Sequence, residues 1–310
     1  MSDELPNHLD PTPSFDAPPA SPAHRVWRGL GIAASGDFVS VDWECFRTAA
    51  LLDGVKLLTN MPVVDIARRF IDGSGPGRRF DPKGIVVRLH ATPHQAPHQT
   101  GQQVFNDHRQ VIGELLALGV DTFELHNEPN VAADGWKSVH WSSASQFVAE
   151  WYTPLARAMR REFPAARLIF PGLTPSFGED DPGRSVFEWF PHIHRAIRDG
   201  LVDGVGVHCY WPDATAMRDK HDGLYFLHFI EQNFGQPLWI TEFSNNKAKS
   251  EEDDAAKGRE YRQYFDLLRA QPQVMGAYAF ALRSDEREFN DRRETWARAG
   301  AVTDIARQLV

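Results

Sequence analysis

The sequence predicts an α/β protein of the (β/α)8-barrel class, a single domain with a flexible N-terminal arm. Three observations predict it. A strand followed by a helix recurs eight times after residue 25. Strands alternating with helices of this length form parallel βαβ units, and eight units fit a barrel near its usual size of roughly 250 residues. Two of the predicted strands, in different halves of the chain, end on a glutamate, and the carboxyl ends of barrel strands are where such folds keep their chemistry.

The elements follow in order. Residues 1–24 hold six prolines and few consecutive apolar residues, which predicts an extended or disordered arm, leaving 25–310 as the barrel domain. The first strand spans Val26 to Ala34, and Val41 to Leu52 follows as a helix with Asp42-Trp43-Glu44 in its first turn. Val55 to Asn60 is the second strand, and Pro62 suits the start of a helix over Val63 to Ile71. Gly84 to His90 is the third, apolar except for Arg88; Gln102 to Leu118 then carries Val104, Val111, Leu115 and Leu118 at helical spacing. In the fourth, Thr122-Phe123-Glu124-Leu125-His126-Asn127-Glu128, alternation puts Glu124, His126 and Glu128 on one face, and Pro129 should stop the ladder. Ser145 to Phe163 is a helix with the stripe Phe147, Trp151, Leu155, Met159. Strands at Arg167 to Gly172, Gly204 to Trp211, Leu238 to Phe243 and Val274 to Leu282 alternate with helices at Ser185 to Arg198, Gly223 to Phe234, Asp253 to Ala270 and Ala297 to Leu309. An open doubly wound sheet is the runner-up, but Gly29-Leu30-Gly31-Ile32-Ala33-Ala34 lacks the third glycine of a phosphate-binding turn.

Composition narrows the function. Apolar residues make up 42% and charged residues 24%, ordinary for a soluble globular chain. A net charge of -9 argues against a nucleic-acid partner. No apolar run approaches the ~20 residues of a membrane helix. Met1-Ser2-Asp3-Glu4 has neither a basic start nor an apolar stretch, so the chain as written reads as cytoplasmic; it would be secreted if a leader is missing from it. Cys45 and Cys209 are too few for a disulfide scaffold and read as buried thiols. Nothing in the composition speaks to oligomeric state.

Glu128 and Glu242 are the candidate catalytic pair. Hydrolysis of a glycosidic bond needs two carboxyl groups flanking the sugar carbon, one protonated to help the leaving oxygen and one ionised to attack or to activate water. Strands four and seven lie across a barrel mouth from each other, so their ends can face.

Three motifs in order carry a resemblance. Asn127-Glu128-Pro129, His208-Cys209-Tyr210 and Thr241-Glu242-Phe243 resemble the strand-four, strand-six and strand-seven motifs of the clan A glycoside hydrolases, the retaining (β/α)8 superfamily that includes families 5 and 39. The resemblance spans about residues 26 to 309. It implies that Glu128 is the acid/base and Glu242 the nucleophile of a double displacement on a β-linked oligo- or polysaccharide. It further implies that Asn127 binds the sugar 2-hydroxyl, Tyr210 holds Glu242 ionised, and His208 lines the subsite; no cofactor is needed. Two departures stand out. Phe280 occupies the strand-eight position where members carry a tryptophan, and the nearest strand-borne arginine is Arg88 in strand three.

Arg88 and Glu124 should point inward below the catalytic layer and pair, because a lone charge there would be costly. A sharper role for Arg88 is to bias the protonation of Glu128 and orient Asn127. His90 and His126 fall near strand ends and read as hydrogen-bonding residues of the sugar subsite or its support. Trp211, next to Tyr210, reads as a sugar platform, with Trp141 and Phe177 also at the mouth; Trp136 reads as loop packing. Two further functions are compatible: a carbohydrate-binding barrel without turnover, and a metal-dependent hydrolase using His90, His94, His98, His126 or His208. Against the latter, no strand carries a His-x-His pair, and His192 and His194 fall in a helix.

Overall fold

The computed structural model describes residues 25–32, 37–89, 91, 99–137, 141–175, 182–218, 223–224, 230, 233–246, 254–284 and 294–310. The predicted arm over 1–24, most of the predicted helix over Gly223 to Phe234, and His90, His94, His98 and Phe177 lie outside the described residues.

Eight parallel strands close into a barrel in sequence order: β1 Trp27–Gly31, β2 Gly54–Leu58, β3 Ile85–Arg88, β4 Thr122–Glu124, β5 Arg167–Leu173, β6 Gly204–Trp211, β7 Leu238–Asn245 and β8 Val274–Ala279. Closure is direct, because β1 pairs with both β2 and β8. An open sheet is therefore excluded. The helices α1 Ser40–Thr48, α2 Val63–Asp72, α3 Gly101–Ala117, α4 (Ala144–Gln146 running on through Phe147–Tyr152 and Thr153–Glu162), α5 Val186–Arg198 and α6 Asp254–Leu268 pack outside. The main apolar core lies between them and the barrel. Thr100 caps α3 by accepting from the Gln103 amide, and Gln103 returns the bond in a reciprocal box.

Three departures from the sequence expectation matter. First, β4 is only three residues long and ends at Glu124, so Glu128 rides on the loop beyond it. Second, the predicted closing helix over Ala297 to Leu309 begins instead as a hairpin, Ala297–Arg298 pairing antiparallel with Ala301–Val302. Its turn residues Ala299 and Gly300 both have positive φ, 49° and 77°, the geometry of a two-residue hairpin turn. Only Asp304–Arg307 (α7) is helical there.

Third, strand alternation is interrupted on both sides of β6. The pairing steps from Val207↔Ile240 to His208↔Glu242, so β7 carries one surplus residue. Likewise Phe170↔Val205 is followed by Leu173↔Val207, a surplus residue on β5. These bulges decide which side chains enter the lumen. Trp239 and Glu242 both face inward although they are three apart, and so do Ile169 and Gly172.

Candidate active site

Regular alternation on β2, β3, β4 and β6 delivers Lys56, Arg88, Glu124 and His208 to one level of the lumen, and the β7 bulge adds Glu242. All five are buried. Arg88 Nε donates to Glu124 Oε2 at 2.7 Å and its Nη2 to Glu242 Oε1 at 2.5 Å. Lys56 Nζ donates to the same Glu242 Oε1 at 2.9 Å and lies 3.6 Å from Glu124 Oε2. Tyr210 completes the set, its hydroxyl donating to Glu242 Oε2 at 2.5 Å.

The predicted Arg88–Glu124 pair is therefore present, but it belongs to a larger network. Arg88 reaches Glu242; no hydrogen bond joins it to Glu128 or Asn127 among the described residues. The sequence reading missed Lys56 altogether. Its signal was a lone lysine inside the five-residue strand Gly-Val-Lys-Leu-Leu, every residue of which is buried.

Burial alone would raise the carboxyl of Glu242, but the charges of Lys56, His208 and Arg88 outweigh it and hold the group well below the usual carboxylate range. Glu124 behaves alike: burial opposes ionisation, and Arg88 and Lys56 overcome it. Burial would lower His208, yet Glu242, Glu124 and Glu128 around it push it up to about 9, so the ring is an imidazolium at neutral pH. Burial raises Tyr210 well above its ordinary value, helped by Glu242, so its hydroxyl keeps its proton and donates it to the carboxylate.

Glu128 reaches this layer from above. Its loop is fastened by buried Asn130, whose side-chain amide donates to the carbonyls of Thr174 and Arg184 at 2.9 and 3.1 Å and accepts from the Thr174 amide at 3.0 Å. Trp141 adds a second tie, its indole donating to the Pro129 carbonyl at 2.7 Å. So held, Glu128 Oε1 lies 2.8 Å from His208 Nδ1, which is itself 3.7 Å from Glu242 Oε2. Those two carboxylate oxygens are therefore at most about 6.5 Å apart, the sum of the two distances. The Glu128 side chain keeps 17% exposure, against 7% for Glu242.

Asn127 is placed beside this pair, its Nδ2 donating to Asp134 Oδ2 at 3.0 Å. Asp134 is a third carboxyl that the sequence reading did not single out. Burial and the neighbouring Glu128 charge push it up to about 7.

The remaining expected residues divide. Phe280 follows β8 directly and is half-buried, its ring centroid 6.4 Å from that of Tyr210, and so borders the site. Trp211 does not. It is 0% exposed, stacked on Phe243 and donating to Glu260 Oε1 at 2.8 Å, on the helix side of the barrel. The reason is alternation: Tyr210 faces the lumen, so its neighbour faces away. Trp141 is also buried, supporting the loop of Glu128 from behind, and is no open platform. His126 lies past the end of β4 and packs edge-on to Trp141, Phe147 and Trp151, outside the lumen. Trp136 is buried against Trp189 as loop packing. Both cysteines are buried, and neither is in a disulfide. Among the described residues no group of His, Cys, Asp and Glu has a metal-holding arrangement.

A family model for the glycosyl hydrolase catalytic core matches residues 91–308. No curated protein matches the chain in sequence. Solved structures share the fold at low identity. An endo-beta-1,3-glucanase of GH128 subgroup I from Amycolatopsis mediterranei, solved with laminaritriose, is similar at a TM-score of 0.59 and 13% identity, over 92% of this chain and 98% of that one. A curdlan-specific exo-beta-1,3-glucanase of subgroup III from Blastomyces gilchristii gives 0.54 and 14%, over 91% and 97%. An oligosaccharide-binding protein of subgroup VII from Trichoderma gamsii gives 0.53 and 15%, over 93% of each chain.

Proposed function

The chain belongs to the glycosyl hydrolase catalytic core family and is a glycoside hydrolase, and from that premise we propose that it cleaves a β-linked glucan with retention of configuration, using Glu242 as nucleophile and Glu128 as acid/base. The observation that carries this reading is the unequal treatment of two neighbouring carboxyls. Every hydrogen bond described for Glu242 comes from a donor: Lys56 and Arg88 on one oxygen, Tyr210 on the other. Such a group stays ionised and aimed, as a nucleophile must be. Glu128 is the more exposed, and the one hydrogen bond described for its carboxyl is to His208, so it lacks the three donors that hold Glu242 and keeps a face open to the leaving oxygen and to water. A limit of about 6.5 Å between their oxygens accommodates the ~5–5.5 Å of retaining enzymes and leaves little room for the water that inversion needs.

In the first step Glu242 attacks the anomeric carbon while Glu128 protonates the departing oxygen. In the second Glu128 takes a proton from water, which displaces the ester. In this reading Asn127 binds the sugar 2-hydroxyl, and Phe280 faces the sugar ring across from Tyr210. We infer a β-1,3-linked substrate from the β-1,3-glucanases among the structural neighbours.

Trapping tests the reading. Incubation with 2,4-dinitrophenyl 2-deoxy-2-fluoro-β-laminaribioside should add one fluoroglycosyl group to the intact protein, and peptide mapping should place it on Glu242. A label elsewhere would reassign the nucleophile. Binding of laminari-oligosaccharides with neither label nor hydrolysis would make the protein a binding barrel.

A further inference from the structure

The hydrolysis reading leaves one buried charge without a task. Lys56 and Arg88 address the same two carboxylates, Glu242 Oε1 and Glu124 Oε2. The Arg88 fork is committed to both at once, at 2.5 and 2.7 Å. Lys56 is not. It is close to Glu242, at 2.9 Å, and stands off from Glu124, at 3.6 Å. One cation would suffice to hold the nucleophile in place, since Tyr210 fixes its other oxygen.

We propose that Lys56 is a positioning residue that carries a movable counter-charge: it pairs with Glu242 in the free protein and with Glu124 while Glu242 is esterified. The inference rests on the reading of Glu242 as nucleophile. When the glycosyl-enzyme forms, a bond joins a Glu242 oxygen to the anomeric carbon. The bond from that carbon to the leaving oxygen breaks, and its electron pair departs on that oxygen together with the proton of Glu128. The carboxylate charge disappears from Glu242, and a buried ammonium loses its partner. A cation abandoned in a low-dielectric interior is strongly unfavourable.

The geometry provides a second partner within a short swing. Glu124 is wholly buried, and Arg88 and Lys56 keep it ionised. A lysine head on a four-carbon stem can turn between two acceptors, whereas a guanidinium fork fixed to both cannot. On its β1 side the stem lies beside Gly31, where an added Cβ would stand in van der Waals contact with it, 3.7 Å from Lys56 Cε; the glycine leaves that contact unmade. The charged groups facing Lys56 are Arg88 from β3, Glu124 from β4 and Glu242 from β7. Burial and Arg88 lower its affinity for a proton below that of an ordinary lysine, and the two carboxylates oppose them and hold the proton on.

The device makes the ester neither too unstable to form nor too stable to hydrolyse, and its two ends can be cut separately. Lys56→Met keeps the length and removes the charge. The ester then no longer strands a cation, so the trapped fluoroglycosyl-enzyme should regain activity at least about tenfold more slowly than wild type. The acid limb of the kcat/KM profile on 2,4-dinitrophenyl β-laminaribioside should also rise by about one pH unit or more, because Glu242 loses a stabilising charge. Glu124→Gln removes the receiving carboxylate, and its trapped form should instead turn over faster than wild type while forming more slowly. Lys56→Arg should keep the acid limb near its wild-type position. A purely structural role would slow both stages together and move both variants the same way. Label on Glu242 with reactivation and acid limb unchanged in Lys56→Met overturns the counter-charge alone; label on another residue overturns it together with the nucleophile assignment.

Discussion

Two layers of one barrel lumen are built on opposite rules. The lower layer is Val86, Ile169, Trp239 and Tyr278, an apolar cluster separate from the main core. It is fitted by size: a Cβ at Gly29 would fall 2.1 Å from the Tyr278 ring, and one at Gly204 would fall 2.1 Å from the Trp239 ring. Arg88 stands two residues further along β3 and Glu242 three further along β7, and with Lys56 on β2, Glu124 on β4 and His208 on β6 they fill the lumen with charge. The lower layer gains from excluding water and from close packing. The upper layer gives up that gain to hold one carboxylate ionised and aimed. The barrel thus separates what holds it together from what it does, within two residues on β3 and three on β7.

The largest test of the contrast removes the charged layer's central group. Glu242→Ala should lose activity by roughly 10⁵-fold, since no covalent intermediate can form. Glu128→Ala should lose about 10²–10⁴-fold on natural glycans but form the intermediate readily from a dinitrophenyl glycoside. Azide should rescue it to a β-configured product, while in Glu242→Ala azide should yield the inverted α-azide. Proton NMR of the products reads the outcome, and the reverse pattern would exchange the two roles.

The lower layer should fail through stability instead. Gly204→Ala forces a methyl into the Trp239 ring and should lower unfolding free energy by about 1–3 kcal/mol in urea melts. Its activity profile against pH should keep its shape. A shift in that profile would show that the layers are mechanically joined.

The smallest effect concerns Asp134, at the upper edge of the charged layer. Its carboxyl is raised to about 7 from an ordinary value of 3.8. The folded protein therefore binds a proton that the unfolded chain releases between those values. The stabilising contribution is complete below the unfolded value and is lost as pH rises through about 7. Asp134→Asn should remove this dependence, raising the melting temperature at pH 8 relative to pH 5. An unchanged difference between the two pH values would contradict the assigned burial.

The eight-fold alternation was legible because apolar runs and amphipathic helices are written locally, and the two glutamates because they close such runs. Tyr210 followed from the resemblance that His208-Cys209-Tyr210 carries, and the Arg88–Glu124 pair from alternation. Trp211 was misplaced by overlooking the same rule, since it cannot share a face with Tyr210. Aim past a strand's end was not legible. Alternation carried beyond Glu124 put His126 in the lumen, whereas the ladder had stopped and the ring turned outward. Counting inward from Trp239 would select Thr241, and only the surplus residue in β7 hands that place to Glu242. Lys56 was hidden because its partners lie 68 and 186 residues away, on β4 and β7. The closing hairpin was concealed because Trp-Ala-Arg-Ala-Gly-Ala-Val has no period that separates a helix from a turn until Gly300 is placed.

Those surplus residues on β5 and β7 flank the same strand, and bulges bend and twist the strand that carries them. β5 and β7 thus both leave regular pairing beside β6, the strand that carries His208. Which side chains line the site there is a matter of backbone length, set below the level at which the loops begin. Loops above it can be exchanged by descent or by grafting, and new sugars tried, without re-aiming the nucleophile.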